Sequence, residues 1–170
     1  MNLKIIDNFL PEELHKKIKN FLYGPDCPWF YREIDVAGGT KNKNGFYSFC
    51  YYNAKKPDHP AYYDHIEPIW ELMNLGGNFK IGITQVRANL TFRDIDTNES
   101  GFHTDKDKGT SSILILASCN AKTVFVKDAE ELKVDSVDNR LVTFDSNIMH
   151  KVIYQTDVWR RVVININYFC

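Results

Sequence analysis

Residues 139–169 read "NRLVTFDSNIMHKVIYQTDVWRRVVININYF" and contain three short β-type runs, "NRLVTFDS" (139–146), "HKVIYQ" (150–155) and "RRVVININYF" (160–169), with brief polar breaks between them. Strands this close together pair antiparallel, because a parallel pair needs a crossover of a dozen or more residues. The pattern extends upstream through "KIGITQVRANLTF" (80–92), "SSILILAS" (111–118), "KTVFVK" (122–127) and "EELKVDSV" (130–137). Short strands in succession with turn signals between them imply an antiparallel sandwich or barrel.

The first half reads differently. "NLKII" (2–6) opens as a strand, and "DNFLPEELHKKIKNFL" (7–22) follows as a helix, with Asn8 or Leu10 near its cap and Pro11 in its first turn. Glu12 and Glu13 sit at the positive end of its dipole, and Leu14, Ile18, Phe21 and Leu22 recur at helical spacing. "WFYREIDV" (29–36) and "FYSFCYYNA" (46–54) fit strands on either side of the polar loop "AGGTKNKNG" (37–45). "HPAYYDHIEPIWELMNLGG" (59–77) reads as a second helix, interrupted at Pro68 and closed by Gly76 and Gly77. Helices confined to the first half would buttress one outer face of the β structure.

Composition narrows the function classes. The chain has 170 residues, is 44% hydrophobic and carries a net charge of −1, enough for one compact domain with a real core and no field that draws it to nucleic acid or anionic lipid. "KNKNG" and "DKDKG" scatter their lysines without an aromatic-interleaved basic stripe, which disfavours nucleic acid further. No apolar run approaches the roughly 18 residues of a membrane span. Cys27, Cys50, Cys119 and Cys170 form no Cys-x-x-Cys, and the N-terminus shows no signal-peptide pattern, so thiols in a reducing cytoplasm are expected.

"GFHTDKDKG" (101–109) places His103 and Asp105 two apart, on one face if the segment is extended. Roughly 0.4 such pairs would arise by chance in a chain of this composition, so the pair alone decides nothing. His65 and Glu67 share the spacing but lie in a helical pattern, where residues two apart diverge and cannot chelate. His65 therefore reads as a packing or surface residue. A third ligand is available in His150, which on its own would read as a satisfied core histidine at a strand end. Two imidazoles and a carboxylate leave the far face of a metal open, the arrangement that suits non-haem Fe(II) and oxygen, whereas a closed structural site wants four ligands. In the last run Arg161, Val163, Asn165 and Asn167 share one face, while Arg160, Val162, Ile164, Ile166 and Tyr168 share the other. One arginine thus points inward, where a guanidinium fork suits the carboxylate of a small acid.

Taken in order, "HTD", "NRLVTFDSNIMHKV" and "RRVVININYF" resemble the Fe(II)- and 2-oxoglutarate-dependent dioxygenases, within them the prolyl-hydroxylase-like branch, which includes small phage-encoded members. The likeness runs from "QVRANLTF" (85–92) to the C-terminus. It implies a double-stranded β-helix, or jelly roll, over 80–170 and a helical, lid-bearing part over 1–79, the two forming a single domain. It also implies His103, Asp105 and His150 as iron ligands and Arg161 as the partner of the distal carboxylate of 2-oxoglutarate. Asn165, Asn89 and Thr91 are further co-substrate contacts by the same likeness. The cofactors implied are Fe(II), 2-oxoglutarate and O2, with ascorbate as a further candidate. The activity implied is hydroxylation of an unactivated C–H bond, with succinate and CO2 as co-products.

A proline-containing peptide or protein is the substrate this branch favours. A free amino acid or small metabolite is the first alternative, a nucleobase the second, and a non-catalytic jelly-roll binding module the rival from another class. The remaining expectations are a monomer or weak dimer, no membrane association, and residence in the cytoplasm, or the host cytoplasm if phage-encoded. Residues 36–52 and Trp159 are the expected aiming parts. The sequence departs from the family at "CNAKT" (119–123), where many relatives have Gly-Gly, and the usual pocket tyrosine is not obvious.

Overall fold

Strand β11 (Arg160–Tyr168) sits between β6 (Thr110–Ile115) and β5 (Ile83–Phe92), antiparallel to both, so both of its edges are paired. The computed structural model describes residues 3–32, 46–53, 56–57, 62–73, 82–93 and 99–169. Around β11 runs a large sheet that also contains β1 (Leu3–Ile6), β2 (Phe30–Arg32), β3 (Phe46–Asn53) and β9 (Arg140–Asp145), in the order β1-β9-β6-β11-β5-β3-β2. The two-residue β4 (Lys56–Pro57) pairs with β3. A smaller sheet has the order β10-β7-β8, from β10 (Met149–Ile153), β7 (Cys119–Lys127) and β8 (Glu130–Ser136).

The alternation read from the sequence assigns the two faces of β11. Val162, Ile164, Ile166 and Tyr168 pack with Ile18 and Leu22 of helix α1 (Glu12–Tyr23) and with Ile66, Ile69 and Trp70 of helix α2 (Tyr63–Leu72). Val163 packs the other way, with Phe125, Val134 and Phe144, into the space between the sheets. The result is three layers, helices on the large sheet and the large sheet on the small one. Ile18 and Leu22, at most 1% exposed, each contribute about 1.5–3 kcal/mol by leaving water.

From residue 83 onward the chain shuttles between sheets. The segment at 99–103 lies beside β10, through the antiparallel bridges Glu99–Ile153 and His103–His150, and so extends the small sheet by one short strand. Large-sheet strands β5, β6, β9 and β11 and small-sheet members 99–103, β7, β8 and β10 make the eight-stranded double β-helix of a jelly roll. Two helices are present among the described residues, both packed on one outer face, as expected. Strands β1 to β4, from the first part of the chain, also join the large sheet.

Several boundaries differ from the sequence reading. Helix α1 begins at Glu12 with Pro11 at its N-cap and no side-chain cap, and Asn8 takes a left-handed turn (φ 52°) before it. Helix α2 runs through Pro68 without a break. Proline there deletes one bond to the carbonyl four residues earlier, at Asp64 in the first turn, and the burial of Ile66, Ile69 and Trp70 outweighs that loss. Gly76, Gly77 and the loop 37–45 lie outside the described residues. Strand β2 is described over Phe30–Arg32 only.

The β7–β8 hairpin turns on Asp128 and Ala129, both left-handed (φ 52° and 65°), as a two-residue turn of this hand requires. Alanine there carries about 1 kcal/mol of steric strain. Ala129→Gly is expected to stabilise the fold by about 0.5 kcal/mol after glycine's entropic cost, measured by urea melts.

His65 is a packing residue, 7% exposed against Phe21, Tyr51 and Tyr62, with its Nδ1 unpaired among the described residues. Burial holds its pKa below the ordinary 6.5. The unfolded chain takes up this proton near the ordinary value and the folded chain only at lower pH, so the group's contribution is intact above about pH 6.5 and lost as pH falls below it. Urea melts are expected to show a smaller loss of stability between pH 7 and 5 in His65→Gln than in the wild type.

Candidate metal centre and cavity

His103 and His150 are joined through their backbones before their side chains are considered. Each N–H donates to the other's carbonyl, at 2.9 and 2.8 Å. Residues directly opposite in such a pair project to the same side, and the two rings stand 4.4 Å apart between centroids. Asp105, two residues beyond His103, projects with it. The N–H groups of Asp105 and Lys106 both donate to the Ser146 carbonyl, at 3.0 and 3.2 Å, which anchors the end of the segment. The ligand-capable atoms of His103, Asp105 and His150 consequently lie within 4.8 Å of one another, with His150 Nε2 3.8 Å from Asp105 Oδ1.

Both imidazoles are oriented from behind. His150 Nδ1 lies 2.9 Å from the Ile148 carbonyl and His103 Nδ1 3.3 Å from the Gly101 carbonyl. A carbonyl only accepts, so Nδ1 carries the proton in each ring and Nε2 presents a lone pair to the shared space. His150 is 4% exposed and packs against Phe125 and Phe144. Burial lowers its pKa, with Asp105 opposing, so the neutral form that a metal needs prevails.

The trio opens onto a cavity of about 330 Å³. All seven residues singled out in the sequence line it: His103, Asp105, His150, Arg161, Asn165, Asn89 and Thr91. Arg161 is 3% exposed, and its Nε donates to Ser136 Oγ at 3.1 Å, which in turn donates to the Ala117 carbonyl at 3.0 Å. No carboxylate pairs with it among the described residues, and burial lowers its pKa. A buried cation without an anion is costly unless a ligand supplies one. Asn89 Oδ1 and Asn165 Oδ1 are buried without hydrogen-bond partners among the described residues. Thr91 Oγ1 lies 3.3 Å from Gln155 Oε1 and 3.4 Å from the Arg161 carbonyl, so its hydroxyl braces the wall.

Other lining residues escaped the sequence reading. Tyr154 reaches the cavity from just after β10, at the end of a run whose alternation gave no cue to a pocket tyrosine. Arg87, on β5, lines it as well. Its in/out position could have been counted from Asn89, two residues on. The departure at "CNAKT" is a bulge in β7. Asn120 there donates its N–H to the Asp157 carboxylate (3.0 Å to Oδ2) and its Nδ2 to Thr156 Oγ1 (2.7 Å), holding the loop before Arg161. Trp159, 61% exposed, meets Phe92 edge to face and has the Arg93 guanidinium over its ring, outside the cavity. Of the expected aiming segment, 36–45 lies outside the described residues, Phe46 lines the cavity, and Phe49 and Tyr51 belong to the core under the helices. Cys27, Cys50 and Cys119 form no disulfide, and burial pushes the Cys27 thiol up to about 12.

The chain matches no family sequence model and no curated protein sequence. Solved structures match its shape over nearly its whole length. A Pseudomonas putida prolyl-4-hydroxylase is 15% identical, with a TM-score of 0.63 over 99% of this chain and 92% of that one. A 2OG-Fe(II) oxygenase family oxidoreductase from Burkholderia pseudomallei is 12% identical, with a TM-score of 0.70 over 98% and 85%. A Trichoplax adhaerens prolyl hydroxylase, solved with a peptide fragment of the hypoxia inducible factor oxygen degradation domain, is 15% identical, with a TM-score of 0.66 over 98% and 83%. With its two sheets, its outer helices and a His-Asp-His trio at one cavity, the chain has the jelly-roll fold of the 2-oxoglutarate- and Fe(II)-dependent oxygenases, in the form seen in prolyl hydroxylases.

Proposed function

We propose that this protein is an Fe(II)- and 2-oxoglutarate-dependent oxygenase that hydroxylates an unactivated C–H bond, on a peptidyl proline or another protein side chain. The observation that carries the reading is the pairing, in one cavity, of a three-ligand trio with a buried arginine that no carboxylate among the described residues pairs with. His103 and His150 would bind Fe(II) through Nε2 and Asp105 through its carboxylate, a donor set that suits ferrous iron and leaves positions for a co-substrate and oxygen. When bound, the metal and 2-oxoglutarate supply the oxidation, which yields succinate and CO2 beside the hydroxylated product.

The chain's own residues bind and orient. Arg161 would take the distal carboxylate with its guanidinium fork, held in place by Ser136. Asn89 and Asn165 offer buried amide oxygens without hydrogen-bond partners among the described residues, and Thr91 forms the wall beside Arg161. Phe125 and Phe144 keep water from the back of His150. A free amino acid or small metabolite is the second reading, favoured by the polar lining of the cavity.

Anaerobic titration of Fe(II) with 2-oxoglutarate tests the assignment through the weak visible charge-transfer band of the chelate. Absence of that band in the wild type would falsify it. Succinate release against proline-containing peptides, free amino acids and oligonucleotides then sorts the substrate classes.

A further inference from the structure

We infer that Arg87 is a specificity-determining residue that binds a carboxylate on the molecule being hydroxylated, as carried by a free amino acid or by the C-terminus of a peptide. This rests on the oxygenase reading above and deepens it.

The cavity wall formed by β5 and β11 carries two arginines. In register, Thr91 lies opposite Arg161, Asn89 opposite Val163, Arg87 opposite Asn165 and Gln85 opposite Asn167. Arg87 is therefore four residues along the strand pair from Arg161, about 13 Å of backbone. 2-Oxoglutarate has one carboxylate to place on the metal and one for a single guanidinium. The ferrous ion, Asp105, 2-oxoglutarate and Arg161 together are electrically neutral. Arg87 is then a surplus cation on the same wall.

Its surroundings answer that charge only in part, through a hydrogen bond with Cys50 and the more distant Asp105. Arg87 Nε is buried without a hydrogen-bond partner, and no carboxylate pairs with the side chain among the described residues. The thiol of Cys50 is beside it, and the nearby charge of Arg32 is of like sign. Asp105 is the acidic group near enough to be felt, and a metal would engage it. Burial lowers the pKa of Arg87, as it does for a cation held ready without its anion. Across the strand pair Asn165 Oδ1 and Asn167 Oδ1 are buried acceptors without partners among the described residues. An amino acid carboxylate has an N–H donor one carbon away. Arg87 and these amide oxygens are complementary to that pair of groups.

The test uses a panel of matched acids and primary amides: L-amino acids, N-acetyl amino acids, and short peptides with free or amidated C-termini. Each is scored by the rise in Tm of the Fe(II)- and 2-oxoglutarate-loaded protein under anaerobic conditions and by aerobic succinate release. In the wild type the acid of at least one pair is expected to outperform its amide about tenfold or more. Free amino acids against free-C-terminal peptides show which source carries the carboxylate. In Arg87→Gln the preference should fall to about one- to twofold with the chelate band retained, and Arg87→Lys should restore part of it. Arg87→Gln is expected to fold, since losing a half-buried cation that no carboxylate pairs with among the described residues relieves desolvation.

Amides that match acids in the wild type, a panel in which no acid acts, or an acid preference that survives in Arg87→Gln would each overturn the inference. So would loss of the chelate band in Arg87→Gln, which would give this arginine to the co-substrate. A wild type without any band would overturn the oxygenase reading and this inference with it, whereas a wild type that shows the band but no Arg87-dependent acid preference would overturn the inference alone.

Discussion

Asp105→Ala is expected to lower Fe(II) affinity by at least about 100-fold and to abolish hydroxylation, with the fold left standing. Changes to groups that merely support a ligand cost about 10- to 100-fold in metal affinity, so losing a ligand outright costs more. The variant keeps its structure because the Asp105 side chain makes no hydrogen bond among the described residues, and the segment is held by the backbone bonds of residues 105 and 106 to Ser146. His150→Ala would be a less clean test, since it also opens a gap between Phe125 and Phe144. Anaerobic calorimetry with Fe(II), and Tm with and without the metal, separate the two effects. The wild type should gain stability from iron and Asp105→Ala should not. Wild-type iron affinity in the variant would remove Asp105 from the ligand set.

Arg161→Leu is expected to move binding and stability in opposite directions. Truncating one partner of a buried charge pair typically costs 2–5 kcal/mol, so affinity for 2-oxoglutarate should fall by about 100-fold or more. In the ligand-free protein the same guanidinium is desolvated with only Ser136 as a hydrogen-bond partner among the described residues, and an apolar side chain of similar volume removes that penalty. Ser136 keeps its bond to the Ala117 carbonyl. Tm without co-substrate should therefore hold or rise while the KM for 2-oxoglutarate climbs. Arg161→Lys should fall between, retaining charge but losing the fork. A variant that lost stability and kept its KM would mark Arg161 as a structural residue.

What could be read from the sequence was what local periodicity encodes. The alternation of β11 placed Val162, Ile164 and Ile166 under the helices and Arg161 and Asn165 in the cavity, because a strand inverts its faces at every residue. The spacing of His103 and Asp105 was informative for the same reason. His150 required a pairing across 47 residues: its place at the start of a β run made it a candidate third ligand, and the family likeness supported it. Contacts without a local signature stayed hidden. Ser136 under Arg161, Tyr154 in the lining and Asn120 on Asp157 are matters of which strand returns beside which. Pro68 misled because a local rule about helix interiors was overridden by burial of the helix face. Asn139 reads in the sequence as a strand residue. It is left-handed (φ 60°), accepts from the Leu10 N–H (2.9 Å) and donates to the Leu10 carbonyl (2.9 Å), clamping a segment 129 residues away.

The placement of β11 also orders events during synthesis. The strand at the middle of the large sheet is the last of those described to leave the ribosome, and β5 and β6 have no partner between them until it arrives. The nascent chain must therefore carry two exposed strand edges and part of the underside of its helices from the completion of β6 until β11 emerges. Such non-local closure makes folding slow and late, and leaves intermediates prone to pair with one another. A chain stopped before Arg160 would lack the centre of its sheet rather than its margin, so early termination should yield aggregation in place of a trimmed but folded protein.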